Sequence, residues 1–191
     1  MLYACNSGYT KQDGKWVWIS YDEAVGKRIN EIDEHDFDTF EILDNEKYAK
    51  DKNKVFFIGR TIKGANPESF QILGNGYSKD ANHVFLDAEI VVLADPNSFE
   101  RLEFPYSKDN NHVFCGTIPL EIDKNEVNEF IVTNENHQMS ASKSTLSVQY
   151  FIQANSNYKW LDTVNVDRII VGEWGTGQTH NRKFKGFKEV K

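Results

Sequence analysis

Apolar and polar positions along this chain recur in a fixed block. Tyr48-Ala49-Lys50-Asp51-Lys52-Asn53-Lys54-Val55-Phe56, Tyr77-Ser78-Lys79-Asp80-Ala81-Asn82-His83-Val84-Phe85 and Tyr106-Ser107-Lys108-Asp109-Asn110-Asn111-His112-Val113-Phe114 align without gaps at a spacing of 29. Asp and Asn bond to their own backbone and tolerate left-handed conformations, so Lys-Asp-x-Asn between apolar stretches predicts a turn. Tyr48 to Lys50 and Val55 to Ile58 then form the arms of a hairpin. A second element shares the period: Asn66-Pro67-Glu68-Ser69-Phe70 matches Asp95-Pro96-Asn97-Ser98-Phe99. A capping residue followed by Pro predicts one short helical turn, with Phe70 and Phe99 anchoring it in the core. Gln71-Ile72-Leu73 returns as a strand.

Weaker copies flank these. Asp36-Phe37-Asp38-Thr39-Phe40 keeps the acid, the hydroxyl and the Phe. Gly8 to Trp18 reads as a first repeat, with Trp16 at the Val55 position and an insertion around Tyr21 to Arg28. The fourth copy degrades after Ile118. A unit this short cannot bury its own apolar face, so neighbours must stack along one continuous core. The expected fold is all-β with short helical turns: a tandem repeat of about 29-residue β-hairpin units, in a curved, mostly antiparallel array with a C-terminal β cap. Residues 1–7 form an N-terminal tail, 8–136 the array and 137–191 the cap. In the cap, Leu146, Val148, Tyr150 and Ile152 alternate with polar neighbours and predict a strand. Val164 to Val171 predicts another, and Gly172 to Gln178 a loop.

Composition agrees with a real core. Hydrophobic residues make up 39% of the chain, with thirteen Phe and eight Tyr, and aromatics favour strands. The net charge of −7 disfavours nucleic acid as a partner. No apolar run is long enough for a transmembrane helix. Two cysteines, Cys5 and Cys115, cannot make a disulfide framework or a four-ligand zinc site. Leu2-Tyr3-Ala4-Cys5 has the form of a bacterial lipobox ending, which makes Cys5 a candidate for lipidation.

Candidate chemistry is sparse. Asp51/Asn53, Asp80/Asn82 and Asp109/Asn111 echo the start of a calcium loop without its Gly and Glu, so they read as turns. His83 and His112 recur at one repeat position but lack a third metal ligand and read as turn residues. No nucleophile or Walker motif is present. Gly172-Glu173-Trp174-Gly175-Thr176-Gly177 lacks the spacing of a phosphate loop, and Cys115 reads as a buried structural thiol. The expectation is therefore no catalytic residue, no cofactor and no metal. Charge is more informative: Glu31 to Glu46 holds eight acids and no Lys or Arg. Read as a docking face for an unidentified, basic protein partner, it makes Glu31, Asp33, Glu34, Asp36 and Asp38 the candidate binding residues. Edge strands offer a second route, and Trp18 and Trp174 are candidate hot spots.

The Tyr-x-Lys-Asp-x-Asn-x-Val-Phe signature, followed by Gly64 to Phe70, resembles the DKNYY family of bacterial repeat proteins. Asp51-Lys52-Asn53-Lys54-Val55-Phe56-Phe57 is the nearest copy, with Phe in place of Tyr. The resemblance covers about Gly8 to Val132 and implies an exported envelope protein, in the periplasm or on the outer membrane as a lipoprotein; the alternative is cytoplasmic. The family carries no activity over. The expected role is a non-catalytic, monomeric binding protein, with immunity against a secreted toxin as its specific form. The rivals are an envelope scaffold without one tight ligand, and a cryptic hydrolase.

Overall fold

Three consecutive units carry the same four-stranded antiparallel sheet, with strands paired in chain order. The computed structural model describes residues 7–32, 34–134 and 140–190. One unit comprises Glu41–Ile42, Tyr48–Lys50, Val55–Phe57 and Arg60–Thr61; the next, Gln71–Gly74, Tyr77–Lys79, Val84–Leu86 and Glu89–Ile90; the third, Glu100–Arg101, Tyr106–Lys108, Val113–Cys115 and Ile118–Pro119. The predicted hairpins are present, with Tyr48 opposite Phe57 and Lys50 opposite Val55. A three-stranded unit, Gly8–Gln12, Lys15–Asp22 and Gly26–Glu31, precedes them. Its Ile32 amide bonds to Trp16 O, as Ile62 does to Val55 O, Val91 to Val84 O and Leu120 to Val113 O. Trp16 therefore stands where Val55 does.

The repeated Asp is what folds the turn. Asp80 is buried, and its Oδ1 accepts the amides of Asn82 and His83, both at 2.7 Å. Its Oδ2 accepts the Asn66 amide at 2.8 Å, tying the hairpin to the preceding Pro-containing turn. Asp51 does the same for Asn53, Lys54 and Asp36, and Asp109 for Asn111, His112 and Asp95. One side chain thus satisfies three backbone donors that would otherwise be stranded inside the protein.

Alternation in the hairpin separates two faces. Phe56, Phe85 and Phe114 point back into the preceding unit, whereas the neighbouring Val and Tyr positions form the pocket that receives the next Phe. Phe85 reaches the cluster of Tyr48, Val55, Phe57 and Ile62, and Phe70 of the Pro turn lies 6.4 Å from it between ring centroids. Each such ring is fully buried and contributes roughly 2–3 kcal/mol from burial alone. Stacking is thereby written into a single repeated residue.

The C-terminal region continues this scheme. Ile131–Val132, Thr176–Gln178, Lys183–Lys185 and Lys188–Val190 form a fourth sheet of the same order. Thr176 pairs with Lys185 as Tyr106 pairs with Cys115, and Phe184 points back into the cluster of Tyr106, Val113 and Phe130. Positions that face forward in the other units carry Lys183 and Lys185 here, and both are exposed. Charged residues at these positions do not offer the apolar pocket that receives the next Phe in the other units.

Residues 133–175 are inserted between the first two strands of that last unit. They hold Lys143–Ser147 paired with Arg168–Gly172, helix α1 (Val148–Ala154) and a 3-10 helix (Ser156–Thr163). The predicted strand over Leu146 to Ile152 is corrected: it ends at Ser147 and becomes α1. Ser147 Oγ accepts the Tyr150 amide and caps the helix, and Val148 and Phe151 are buried while Tyr150 is 62% exposed. That is helical spacing, which the alternation of apolar residues concealed. The second predicted strand starts later, at Arg168. Its Ile170 O accepts the Thr117 amide, and its Ile170 amide donates to Thr117 Oγ1. The insertion thus lies along the fourth strands Glu89–Ile90 and Ile118–Pro119.

Candidate functional site

Most chemistry-bearing residues are occupied by structure. The Asp-x-Asn carboxylates hold backbone amides. His83 Nδ1 lies 3.6 Å from Asp80 and His112 Nδ1 3.4 Å from Asp109, so each ring sits on its own turn rather than facing the other. Among the described residues no group of three or more His, Cys, Asp or Glu is placed to hold a metal ion. Cys115 is fully buried and donates to Gly172 O, and burial pushes its thiol up to about 12. The Gly-rich stretch is a packing element. A Cβ on Gly175 would lie 2.1 Å from Pro105, and one on Gly177 2.3 Å from the Phe130 ring.

The acidic stretch is matched from within. Glu31 pairs with Lys15 and Glu34 with Lys54, both at 2.7 Å; Asp36 pairs with Lys52 at 2.6 Å and Glu41 with Lys50 at 3.2 Å. Lys52, together with the Thr39 hydroxyl, lowers the Asp36 carboxyl to about 2, and Lys54 lowers that of Glu34. Asp38 is exposed. Asp33 and Cys5 lie outside the described residues. The acids therefore sit in one neighbourhood, but lysines from the same and the following unit balance much of their charge.

Beside them stands the longest hairpin of the array, Lys15–Asp22 with Gly26–Glu31. The expected insertion around Tyr21 to Arg28 extends both strands, and Asp22 closes the turn by accepting the Ala24 and Val25 amides. Every residue of Gly26–Glu31 is exposed, and the strand is the sheet's edge, paired only with Lys15–Asp22 among the described residues. Ile29 on this strand, Val25 in the turn and Tyr21 on the paired strand are exposed. Ile29 lies opposite Ile19 and Lys27 opposite Tyr21, so Lys27, Ile29, Glu31, Ile19 and Tyr21 share one face. Hydrogen bonding alternates along an antiparallel pair. The Ile32 amide bonds to Trp16 O, so the backbone groups of Lys27, Ile29 and Glu31 point away from the partner strand, toward the free edge.

The tryptophans divide. Trp18 is buried and packs where any side chain at Gly59 would collide with it. Trp16 stacks on Phe40 at 4.7 Å. Trp174 is 40% exposed beneath the Lys185 ammonium. The open edge was only partly legible from sequence: the insertion was visible, but that it lengthens an edge strand was not.

Comparison with known proteins adds one relationship. The family model described as DKNYY family matches residues 9–146 and again 77–185. No curated protein and no solved structure matches the chain.

Proposed function

This chain belongs to the DKNYY family, and from that premise we propose that it is a non-catalytic, protein-binding repeat protein whose first unit is the binding end. One observation carries the reading: the edge strand Gly26–Glu31 is exposed at every position, while the insertion lies beside the corresponding strands of two later units. An exposed edge binds an extended segment through its main chain, and side chains on the flanking face select it. Glu31 belongs to that strand, and Glu34, Asp36 and Asp38 follow it, so a partner with basic residues fits best. Placement in the bacterial envelope rests on the Leu2 to Cys5 motif, and an inhibitory or immunity role on the acidic stretch. The lysine pairing of Glu34 and Asp36 favours the second reading, a scaffold with several weak partners.

Affinity capture from a lysate of the source organism tests this, with the whole chain as bait. One stoichiometric protein, lost with Ile29→Pro and weakened by joint charge reversal at Glu31 and Glu34, is the expected result. Capture that ignores both changes places binding elsewhere. No enriched protein on a folded bait moves weight to the scaffold.

A further inference from the structure

We infer that the edge strand Gly26–Glu31 pairs with the same strand of a second copy, giving a two-fold symmetric dimer centred on Ile29. This rests on reading the first unit as the binding end. An antiparallel partner must meet outward-facing backbone groups with outward-facing groups. Lys27, Ile29 and Glu31 are those residues here, and the symmetric registers that pair two or more of them centre on Arg28, Ile29 or Asn30. Centring on Arg28 sets Arg28 opposite Arg28, and like charges directly opposed are unfavourable. Centring on Asn30 sets Ile29 against Glu31. Centring on Ile29 sets Ile29 against Ile29 and each Lys27 against the other copy's Glu31, an opposite-charge pair made twice.

The Ile29 register forms about six main-chain hydrogen bonds and joins the Ile19, Tyr21 and Ile29 faces of both copies into one apolar strip. Lys15 already reaches Glu31 at 2.7 Å, so each Glu31 would sit between two ammonium groups. The same symmetry operation returns every contact, making a closed pair rather than a growing chain. Later units offer shorter edges: the fourth strands of the next three are two residues long and that of the last, Lys188–Val190, is three.

Sedimentation equilibrium of the whole chain, from about 1 µM to 1 mM, tests the inference. Reversible monomer–dimer behaviour is expected. Lys27→Glu should weaken it by about tenfold or more, and Lys27→Glu combined with Glu31→Lys should restore much of that loss. Ile29→Pro should abolish the dimer with the fold intact by circular dichroism, because the Ile29 amide is not used within the sheet. A wild-type chain that stays monomeric throughout overturns the inference, as does a dimer indifferent to Lys27→Glu and Ile29→Pro. A second copy and a different partner would compete for this one edge, so capture is run well below the dissociation concentration of the dimer: a monomeric chain that still captures a protein overturns the dimer alone, and a dimer that captures nothing overturns the capture reading alone.

Discussion

Phe184 meets Phe130 with ring centroids 6.0 Å apart, as Phe114 meets Phe99 at 6.3 Å and Phe85 meets Phe70 at 6.4 Å. The final hairpin is therefore docked by the contact that joins the inner units. Phe184→Ala should destabilise the chain by about 3–5 kcal/mol, in the range for a buried Phe and close to the effect of Phe114→Ala. Urea unfolding followed by tyrosine and tryptophan fluorescence measures both. A loss below about 1 kcal/mol at Phe184 would show the last unit to be loosely attached.

Asp80 tests the turn. Asp80→Ala leaves three backbone donors without their acceptor, and each such group left unsatisfied costs about 1–3 kcal/mol. Partial access of water to the turn reduces the total, so a loss of about 3 kcal/mol is expected, with Asp80→Asn in between and exposed Asp38→Ala within about 0.5 kcal/mol of wild type. Equal effects at Asp80 and Asp38 would remove the turn from the account of stability.

The repeat was legible because one turn and one aromatic recur in register: Asp51, Asp80 and Asp109 with Phe56, Phe85 and Phe114. The last unit was hidden. Thr179, Lys183 and Lys185 replace the Asp, Val and apolar positions of Asp109, Val113 and Cys115, and residues 133–175 separate its first strand from its second. What remained was Phe184-Lys185-Gly186 against Phe114-Cys115-Gly116, a short match in a segment read as part of the C-terminal β cap. Helix α1 was missed because Val148, Phe151 and Ile152 serve a helical face while Leu146, Val148 and Ile152 fit a strand. The acidic residues were found, but their lysine partners, Lys15 for Glu31, Lys54 for Glu34, Lys52 for Asp36 and Lys50 for Glu41, lie outside the acidic run, where linear charge counting cannot see them.

Low pH should loosen the first Pro-less turn. Asp36 is held at about 2 by Lys52 and Thr39, below its unfolded value, so its contribution is present above that unfolded value and is lost as pH falls through about 2. Glu34, also lowered by Lys54, weakens in the same direction. Amide exchange at Thr39, whose N–H donates to Asp36, should quicken as pH drops from about 4 toward 2, after correction for intrinsic rates. Constant protection across that window would contradict the assignment.

Cys115 should be inert while the chain is folded, since its thiol is fully buried and raised to about 12. In a Cys5→Ser background, a thiol reagent at neutral pH should label it only at the rate of opening. Fast stoichiometric labelling without denaturant would place the thiol at the surface.

Converting the end of the stack into an inner surface should make it adhesive. Lys183→Val with Lys185→Leu gives the apolar pattern of Val84 and Leu86 to a face that is exposed among the described residues. Concentration-dependent association absent from the parent chain is expected, read by light scattering. An unchanged scattering profile would mean the two lysines do not guard that face.

The insertion of residues 133–175 also sets an order of events. Units built on Tyr48 and Tyr77 close mainly over contacts local in sequence, so they can form as the chain leaves the ribosome. The pocket around Tyr106 and Phe130 is different: its lid, Phe184, arrives some fifty residues after Phe130, and until then a wet aromatic slot stays open. Folding should therefore run fast along the chain and wait at one late step. That waiting interval is when the protein is most exposed to chaperones, proteases and its own neighbours.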